Sequence, residues 1–229
     1  VSTDSLIQQS GLAIARRVKH HLEHLIGVNI VVLVGPGNNG KDGLAAAQQL
    51  HTWGAYVSIF ICHDNNSPDE ILRQLSNQKV DIIHASADKN FSELKTVLKC
   101  SNLVIDSVLG TGCSRPIIDP IKGIFSEVNK AKANNSDLLV LAVDIPSGLH
   151  PDTGVMDPAT METDVTVTLG YPKIGLFTFP GAGNVGNLEI ADIGIPQGMD
   201  EGSTLELMSA SWAKTLLPVR PKSAYKGDF

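Results

Sequence analysis

The chain has little cysteine and no long apolar run. Its three cysteines, Cys62, Cys100 and Cys113, are odd in number and irregularly spaced, so they offer neither a disulfide framework nor a pair of metal ligands. This usage predicts a reducing, cytoplasmic compartment. No apolar run reaches the ~18 residues that a membrane-spanning helix needs, and we therefore expect no membrane association.

Positive charge and aromatic side chains are also scarce. The 229 residues include 18 basic and 24 acidic side chains, for a formal net charge of −6, and aromatic residues make up 5%. Because the chain is acidic and its basic residues are scattered, we expect no nucleic-acid partner. The apolar fraction of 42% and the 21 glycines are typical of a compact α/β protein with many tight turns.

Short apolar runs alternate with amphipathic segments over the first two-thirds of the chain. The runs at residues 30–34, 56–61, 80–83, 103–105 and 138–143 have the length of buried strands. Such alternation predicts a mainly parallel sheet with helices on both faces. The predicted helices are residues 5–25, 43–53, 68–76, 91–99 and 116–132.

The alternation of strands and helices stops after residue 144. Residues 165–169, 176–179 and 188–190 look like strands separated by Gly and Pro, without room for full helices. We expect them to extend one edge of the sheet, and we expect a short helix near residues 209–217. The predicted fold is a three-layer α/β/α sandwich with a Rossmann-like, mainly parallel sheet and extra edge strands after the last crossover.

A glycine-rich segment follows the first strand. Residues 35–43 read GPGNNGKDG, and the first three glycines match the G-x-G-x-x-G pattern between a strand and a helix. Such a loop lets the backbone approach a bound anion at the helix start. Phosphate binding alone does not require the polar Asn38, Asn39 and Asp42, so this loop is predicted to hold more than phosphate.

Two further polar clusters follow later strands. One is residues 106–112, DSVLGTG, and the other is residues 144–148, DIPSG. Parallel strands point their carboxyl ends at one edge of a sheet, where ligands bind. A single Asp at a strand end is more often a loop cap, but three clusters with glycine turns predict one convergent site. Arg115, just beyond the second cluster, could meet a phosphate.

Two individual residues are of most interest, Asp144 at the start of the third cluster and Lys173 beyond it. Asp144 follows a strongly apolar strand and is a candidate general acid or base, although a structural bond to a backbone N–H is the alternative. Lys173 lies between Pro172 and Gly175. It either approaches the site or caps a strand, and the sequence leaves both interpretations open.

The motifs resemble the YjeF N-terminal family, the NAD(P)H-hydrate epimerases. The resemblance covers most of residues 5–196 and includes segments 35–43, 106–112 and 144–148 in that order. Two later runs, LGYPKIG at 169–175 and DIGIP at 192–196, also resemble the family. The closing KGDF resembles the start of an ADP- or ATP-dependent dehydratase domain. This implies an epimerase domain at residues 1–196, then a linker and the start of a truncated C-terminal dehydratase domain at 197–229.

The resemblance implies an isomerase of metabolite repair that interconverts the R and S forms of NAD(P)HX, nicotinamide cofactors hydrated at C6 of the reduced ring. It also implies the dehydratase domain as a fused partner, and we expect a homo-oligomer, a dimer or larger. Asp144 matches the family's catalytic position, and Asn39, Asp106 and Ser147 match potassium ligands. The implied substrate contacts are Asn38, Asn39, Gly40, Lys41, Asp42, Gly110, Thr111, Gly112, Cys113, Ser114, Arg115, Pro116 and Asp144.

Two positions depart from the family pattern. Lys41 stands where many members have glycine, and it either extends into solvent or favours the extra phosphate of an NADPH-type substrate; we prefer the solvent interpretation. Gln9, Ser10 and Gly11 stand where the first helix often has an acidic residue before Ala-Gly. That departure weakens any inference about a role of the first helix in the site.

Two other function classes compete with the epimerase. The glycine pattern also fits an NAD(P)-dependent dehydrogenase, with Asp64 near the position of a ribose-binding acid. The second alternative is a non-catalytic nucleotide-binding scaffold. Such a scaffold does not need a polar site, whereas this sequence has the four polar residues Asn39, Asp106, Asp144 and Ser147 together. A P-loop kinase is excluded because no Gly-Lys-Ser/Thr ends the loop.

Overall fold

A computed structural model describes most of the chain, which divides into two compact units, Val1–Ile195 and Pro196–Phe229. The second unit contains one helix, α6 (Ala210–Leu216), among its described residues. None of the described helices is both long and apolar enough to cross a membrane. The described residues are 2–63, 70–112, 115–196, 198–199, 202, 205–218 and 223–225.

The first unit alternates strands and helices. Its helices are α1 (Thr3–Leu22), α2 (Asn38–Thr52), α3 (Glu70–Asn77), α4 (Ser92–Lys99) and α5 (Ile121–Asn134). Its strands are β1 (Asn29–Val34), β2 (Tyr56–Ile61), β3 (Asp81–His84), β4 (Leu103–Ser107), β5 (Leu139–Val143), β6 (Val165–Leu169) and β7 (Asn187–Ala191).

The seven strands form one parallel sheet in the order β3-β2-β1-β4-β5-β6-β7. The direction of the strand order reverses between β1 and β4, and this reversal opens a crevice at the carboxyl ends of those strands. The predicted Rossmann-like α/β fold is confirmed, and every strand pair is parallel. β6 and β7 extend the β5 edge, as expected for two of the three late strands.

Helices cover both faces of the sheet because successive strand residues alternate between two cores. Ile30, Val32 and Val34 of β1 pack with α1, α2 and α3 on one face. Val31 and Leu33 pack with α4 and α5 on the other. The central strands β1, β4 and β5 are therefore buried on both sides, which explains their apolar runs.

The strand predicted at residues 176–179 is wrong. The structure has a 3-10 helix at Ile174–Phe177 instead. Gly175 lies so close to the preceding loop that a Cβ there would come within 2.2 Å of the His150 carbonyl oxygen. Leu176 then turns into a small separate core with Ile145 and Leu149. Packing against this loop, rather than sheet pairing, determines the conformation of the segment.

Candidate active site

The carboxyl ends of β1, β4 and β5 lie side by side, with β4 in the middle. The backbone joins the first two ends directly, since the Gly35 N–H donates to the Ser107 carbonyl at 3.2 Å. A Cβ on Gly35 would lie 1.8 Å from the Val108 carbonyl oxygen, so only glycine permits this approach. The three polar clusters therefore meet at one edge of the sheet.

Helix α2 begins at Asn38, five residues earlier than its predicted start at residue 43. Most of the expected glycine-rich loop is thus the first turn of the helix, and only residues 35–37 form the loop. Gly40 makes this possible, because a Cβ there would lie 2.0 Å from the Gly35 carbonyl oxygen. The N-cap, Gly37, provides no side-chain cap, which leaves the first N–H groups of α2 available to an anion.

A hydrogen-bond network joins the three strand ends. Ser147 Oγ donates to Asp106 Oδ1 at 2.6 Å, and the Ser147 N–H donates to Oδ2 at 2.9 Å. The same Ser147 hydroxyl accepts the Leu109 N–H at 2.8 Å. Asn39 Nδ2 donates to the Leu109 carbonyl at 3.0 Å. Asn39, Asp106 and Ser147, distant in sequence, therefore belong to one buried cluster.

Asp106 is a buried carboxyl, 1% exposed, within the last residues of β4. Burial raises its pKa, while the hydrogen bonds from Ser147 and from the Val108 N–H lower it. Among the described residues no Lys, Arg or His forms an ion pair with it. The donors around Asp106 in the described chain are therefore neutral, a costly setting for an ionised group.

Asp144 follows β5 in a left-handed backbone conformation, with φ at +67°. Its backbone N–H donates to the Val167 carbonyl at 2.8 Å, which keeps the residue beside β6. Oδ1 of its side chain accepts the Leu169 N–H at 3.0 Å and a weaker bond from Thr168. Oδ1 also forms an ion pair with Lys173 Nζ.

Lys173 approaches the site and does not merely cap a strand. Its Nζ reaches the Asp144 carboxylate, the Leu169 carbonyl at 3.2 Å and Thr168 Oγ1 at 3.4 Å. The described protein contacts of the Asp144 carboxylate all go to Oδ1, and Oδ2 is not a buried atom. The protein thus holds Oδ1, and no bond from a described residue to Oδ2 is observed.

Asp42 is the fifth residue of α2, and the Ser10 side chain of α1 lies near its carboxyl. Burial, with a smaller contribution from the negative charge of Asp144, raises the pKa of Asp42 from 3.8 to about 7. The nearby Ser10 hydroxyl and the Lys173 charge lower the pKa of Asp42 and offset part of this rise. Gly11 packs directly on Ala45, so α1 reaches the site despite its departure from the family pattern.

A cavity of about 530 Å³ opens at the ends of β1, β2 and β3, and its lining does not include Asp42, Asp106 or Asp144. Its volume lies in the range of small-molecule sites. Three of the predicted substrate contacts, Asn38, Gly40 and Lys41, line it. Its lining also includes residues without a motif in the sequence: Asp4, Ile7, Gln8, His63, Glu70 and His84.

The predicted substrate contacts that follow β4 differ in their exposure to solvent. Gly110 lies against Asn39, where a Cβ would be 3.3 Å from the Asn39 Cβ. Thr111, Gly112, Arg115 and Pro116 are exposed. Cys113 and Ser114 lie outside the described residues, as does Asp64, the acid that the dehydrogenase interpretation requires.

Ser10 and Thr168 near the site were not predicted from the sequence. Ser10 is 2% exposed on the buried side of α1, and Thr168 is fully buried in β6. The position of a polar residue on the apolar face of an amphipathic helix is the one signal that could have indicated Ser10. The sequence gives no signal for Thr168, because Thr is common in strands.

The fold and the site together define a Rossmann-like α/β protein with a polar site at the reversal of strand order. Comparison with known proteins gives the family. Residues 3–175 match the model of the YjeF-related protein N-terminus, and this chain belongs to that family.

Curated relatives extend the comparison. Over its whole length the chain is 34% identical to the bifunctional NAD(P)H-hydrate repair enzyme Nnr of Thermofilum pendens, of which it covers 43%. It is also 34% identical to an NAD(P)H-hydrate epimerase of Limosilactobacillus fermentum, over 82% of this chain and 84% of that protein. The chain thus spans less than half the length of the bifunctional relative. The yeast protein YNL200c has the same fold, with a TM-score of 0.69 at 23% identity over 84% of this chain and 79% of the yeast chain.

Proposed function

We propose that this chain is an NAD(P)H-hydrate epimerase that interconverts the R and S forms of NAD(P)HX. The family and the names of its relatives support the activity. The observation that carries it is the Asp144 carboxylate. Lys173 and the backbone hold Oδ1, while Oδ2 is left for a substrate at the edge where ligands bind in this fold.

The reaction requires a group that gives and then takes a proton. The ring nitrogen of the hydrate expels the C6 hydroxyl once an acid protonates it, and the planar iminium then takes water back on either face. A positioned carboxyl can perform both transfers. In this proposal Asp144 Oδ2 carries the proton, and Lys173 orients the carboxylate without contacting the substrate.

The rest of the substrate fits the α2 side of the crevice. The open N–H groups at the start of α2 suit a pyrophosphate, and the cavity lined by Asn38 and Lys41 has room for nucleotide groups. We propose residues 38–42 and 110–116, with Asp144, as the substrate contacts. Lys41 is exposed, in keeping with the solvent interpretation, but it also borders this cavity.

Potassium is the proposed cofactor, and the chemistry of the residues fits it. The amide oxygen of Asn39, the carboxylate of Asp106 and the hydroxyl of Ser147 are hard oxygen donors, which suit such a cation. Asn39 bonds Leu109 through its nitrogen, so its oxygen is the end available to an ion. When bound, the ion would offset the charge of buried Asp106 and attract the phosphate oxygens of the substrate.

The domain division is also a proposal. We assign residues 1–196 to the epimerase domain and 197–229 to a linker and the start of a dehydratase domain. The epimerase relative, which this chain covers to 84%, and the longer bifunctional relative support it. Expression of residues 1–196 alone tests it, since the fragment should retain interconversion. A homo-oligomer and a cytoplasmic location remain predictions.

Separation of the two epimers tests the activity directly. Isolated S-NADHX should convert to the equilibrium mixture of epimers in the presence of the protein, much faster than in buffer. An unchanged rate would refute the proposal. A parallel titration with intact NADH addresses the dehydrogenase alternative, because a dehydrogenase should bind the intact cofactor tightly and this site should not.

A further inference from the structure

The cavity of about 530 Å³ is a second feature of the sheet edge, separate from the polar cluster. The last residues of three strands, Val34 of β1, Ile61 of β2 and His84 of β3, line it. Side chains of α1, α2 and α3 complete the lining. The cavity therefore lies on the β1 to β3 side of the sheet, whereas the polar cluster lies on the β4 and β5 side.

The three helices around the cavity are fixed to one another. Helix α1 packs closely on α2, because a Cβ on Gly11 would lie 2.4 Å from the Ala45 Cβ. Helix α2 is joined to α3 by a hydrogen bond from Gln48 Nε2 to Gln74 Oε1 at 2.8 Å. The walls of the cavity are thus formed before a ligand binds, as is usual for small-molecule sites.

The lining suits a flat heterocycle. Each helix contributes an apolar side chain, Ile7 from α1, Leu44 from α2 and Ile71 from α3. Ile7 and Leu44 are buried, and Ile71 is half-buried. Gln8 and Gln74 add exposed amides to the same lining. A glutamine amide both donates and accepts, and it can pair with the N6 and N7 edge of adenine.

The first turn of α2 borders both the cavity and the polar cluster. Gly40 lines the cavity, while its neighbour Asn39 donates to the Leu109 carbonyl in the cluster. A pyrophosphate at this turn would have one attached group on the cavity side and the other on the cluster side. In the proposed reaction the hydrated nicotinamide must reach Asp144, so the other end of the substrate is left for the cavity.

We infer that this cavity binds the adenosine half of the substrate. The inference rests on the proposed epimerase function and adds α1 and α3 to the substrate contacts proposed above. The adenine lies between the apolar side chains of the three helices, and Gln8 and Gln74 supply amides for its polar edge. The hydrated nicotinamide extends past the start of α2 toward the polar cluster.

Hydrogen exchange with ADP-ribose tests the location. This probe has the adenosine half and the pyrophosphate but no nicotinamide ring, so it binds without reacting. Bound ADP-ribose should slow amide exchange in the first two turns of α1 and in α3, as well as at the start of α2. Protection confined to residues 38–42 and 110–116 would overturn the inference, as would no binding of ADP-ribose.

Two hydrates that differ in the adenosine half test the contribution to turnover. The hydrate of reduced nicotinamide mononucleotide lacks that half, and its kcat/KM should be at least about 100-fold below that of NADHX. Gln8→Trp places a large ring at the cavity and should reduce the ratio of the two kcat/KM values by about 10-fold. Because Gln8 is exposed, we expect the variant to fold.

A matched control separates the possible failures. Gln78→Trp makes the same exchange at an exposed position outside the cavity lining, and it should keep the wild-type ratio. Equal kcat/KM values for the two hydrates in the wild type would overturn the inference, and so would an unchanged ratio in Gln8→Trp. A wild-type protein that interconverts the epimers of neither hydrate would refute the proposed function instead.

Discussion

Replacement of Asp42 by Asn should stabilise the protein at about pH 8 and change little at about pH 4. The pKa of Asp42 is 3.8 in the unfolded reference and about 7 in the fold, mainly because of burial. Between these values the native state holds a proton that the unfolded state has released. The free energy of unfolding therefore falls as the pH rises through this interval, and it levels off above about 7.

The size of the effect follows from the shift. A shift of one pKa unit corresponds to about 1.4 kcal/mol, so about 3 units set an upper limit near 4 kcal/mol at alkaline pH. Asn keeps an oxygen that can accept from the Ser10 hydroxyl, and it removes the repulsion from Asp144. Because Asp42 is partly exposed, relaxation of the protein and nearby water reduce this gain in the free energy of unfolding. We expect a gain of about 2–3 kcal/mol.

Urea unfolding at several pH values measures the gain. Asp42→Asn should shift the midpoint upward at alkaline pH with an unchanged slope. Asp137→Asn, which replaces an exposed carboxyl, is the matched control and should shift the midpoint little at any pH. An equal difference between Asp42→Asn and wild type at both ends of the pH range would refute the reasoning, as would a loss of stability above neutrality.

Four further predictions concern the site and its support. Gly35→Ala should prevent normal folding or cost several kcal/mol in thermal unfolding, since its Cβ would meet the Val108 carbonyl at 1.8 Å. Lys132→Met should cost about 2–3 kcal/mol in urea unfolding, because it leaves Asp164 without its partner at 2.6 Å. Lys173→Met should lower kcat by about 100-fold with little change in KM, and Lys173→Arg should recover part of it; an unchanged kcat in both would exclude a positioning role. Replacement of potassium by sodium or lithium should weaken substrate binding in calorimetry, and equal affinity in all three salts would remove the ion from the account.

Local pattern was sufficient to predict the sheet and the convergence of the three polar clusters. The strands β1 and β5 are continuous apolar runs, and β4 begins with one; polar residues stand at or just after the ends of these runs. Parallel pairing then brings the ends together, so convergence required only the strand directions. The same logic did not apply to residues 176–179, where contact with a distant loop at His150 replaced sheet pairing.

Contacts that form only in the folded chain could not be predicted from the sequence. The early start of α2 depends on Gly40 meeting the Gly35 carbonyl. The pairing of Lys173 with Asp144 depends on where the loop after β6 turns back. The burial of Ser10 against Asp42 depends on how α1 crosses α2. Each feature depends on a contact between residues that are apart in the sequence, and neither composition nor periodicity predicts such contacts.

The central claim is that the Asp144 carboxyl moves the proton during interconversion of the epimers. The measurement is the rate at which separated S-NADHX becomes the mixture with Asp144→Asn, after circular dichroism has shown that the variant is folded. We expect a loss of at least about 100-fold relative to wild type. A rate within a few fold of wild type would contradict it.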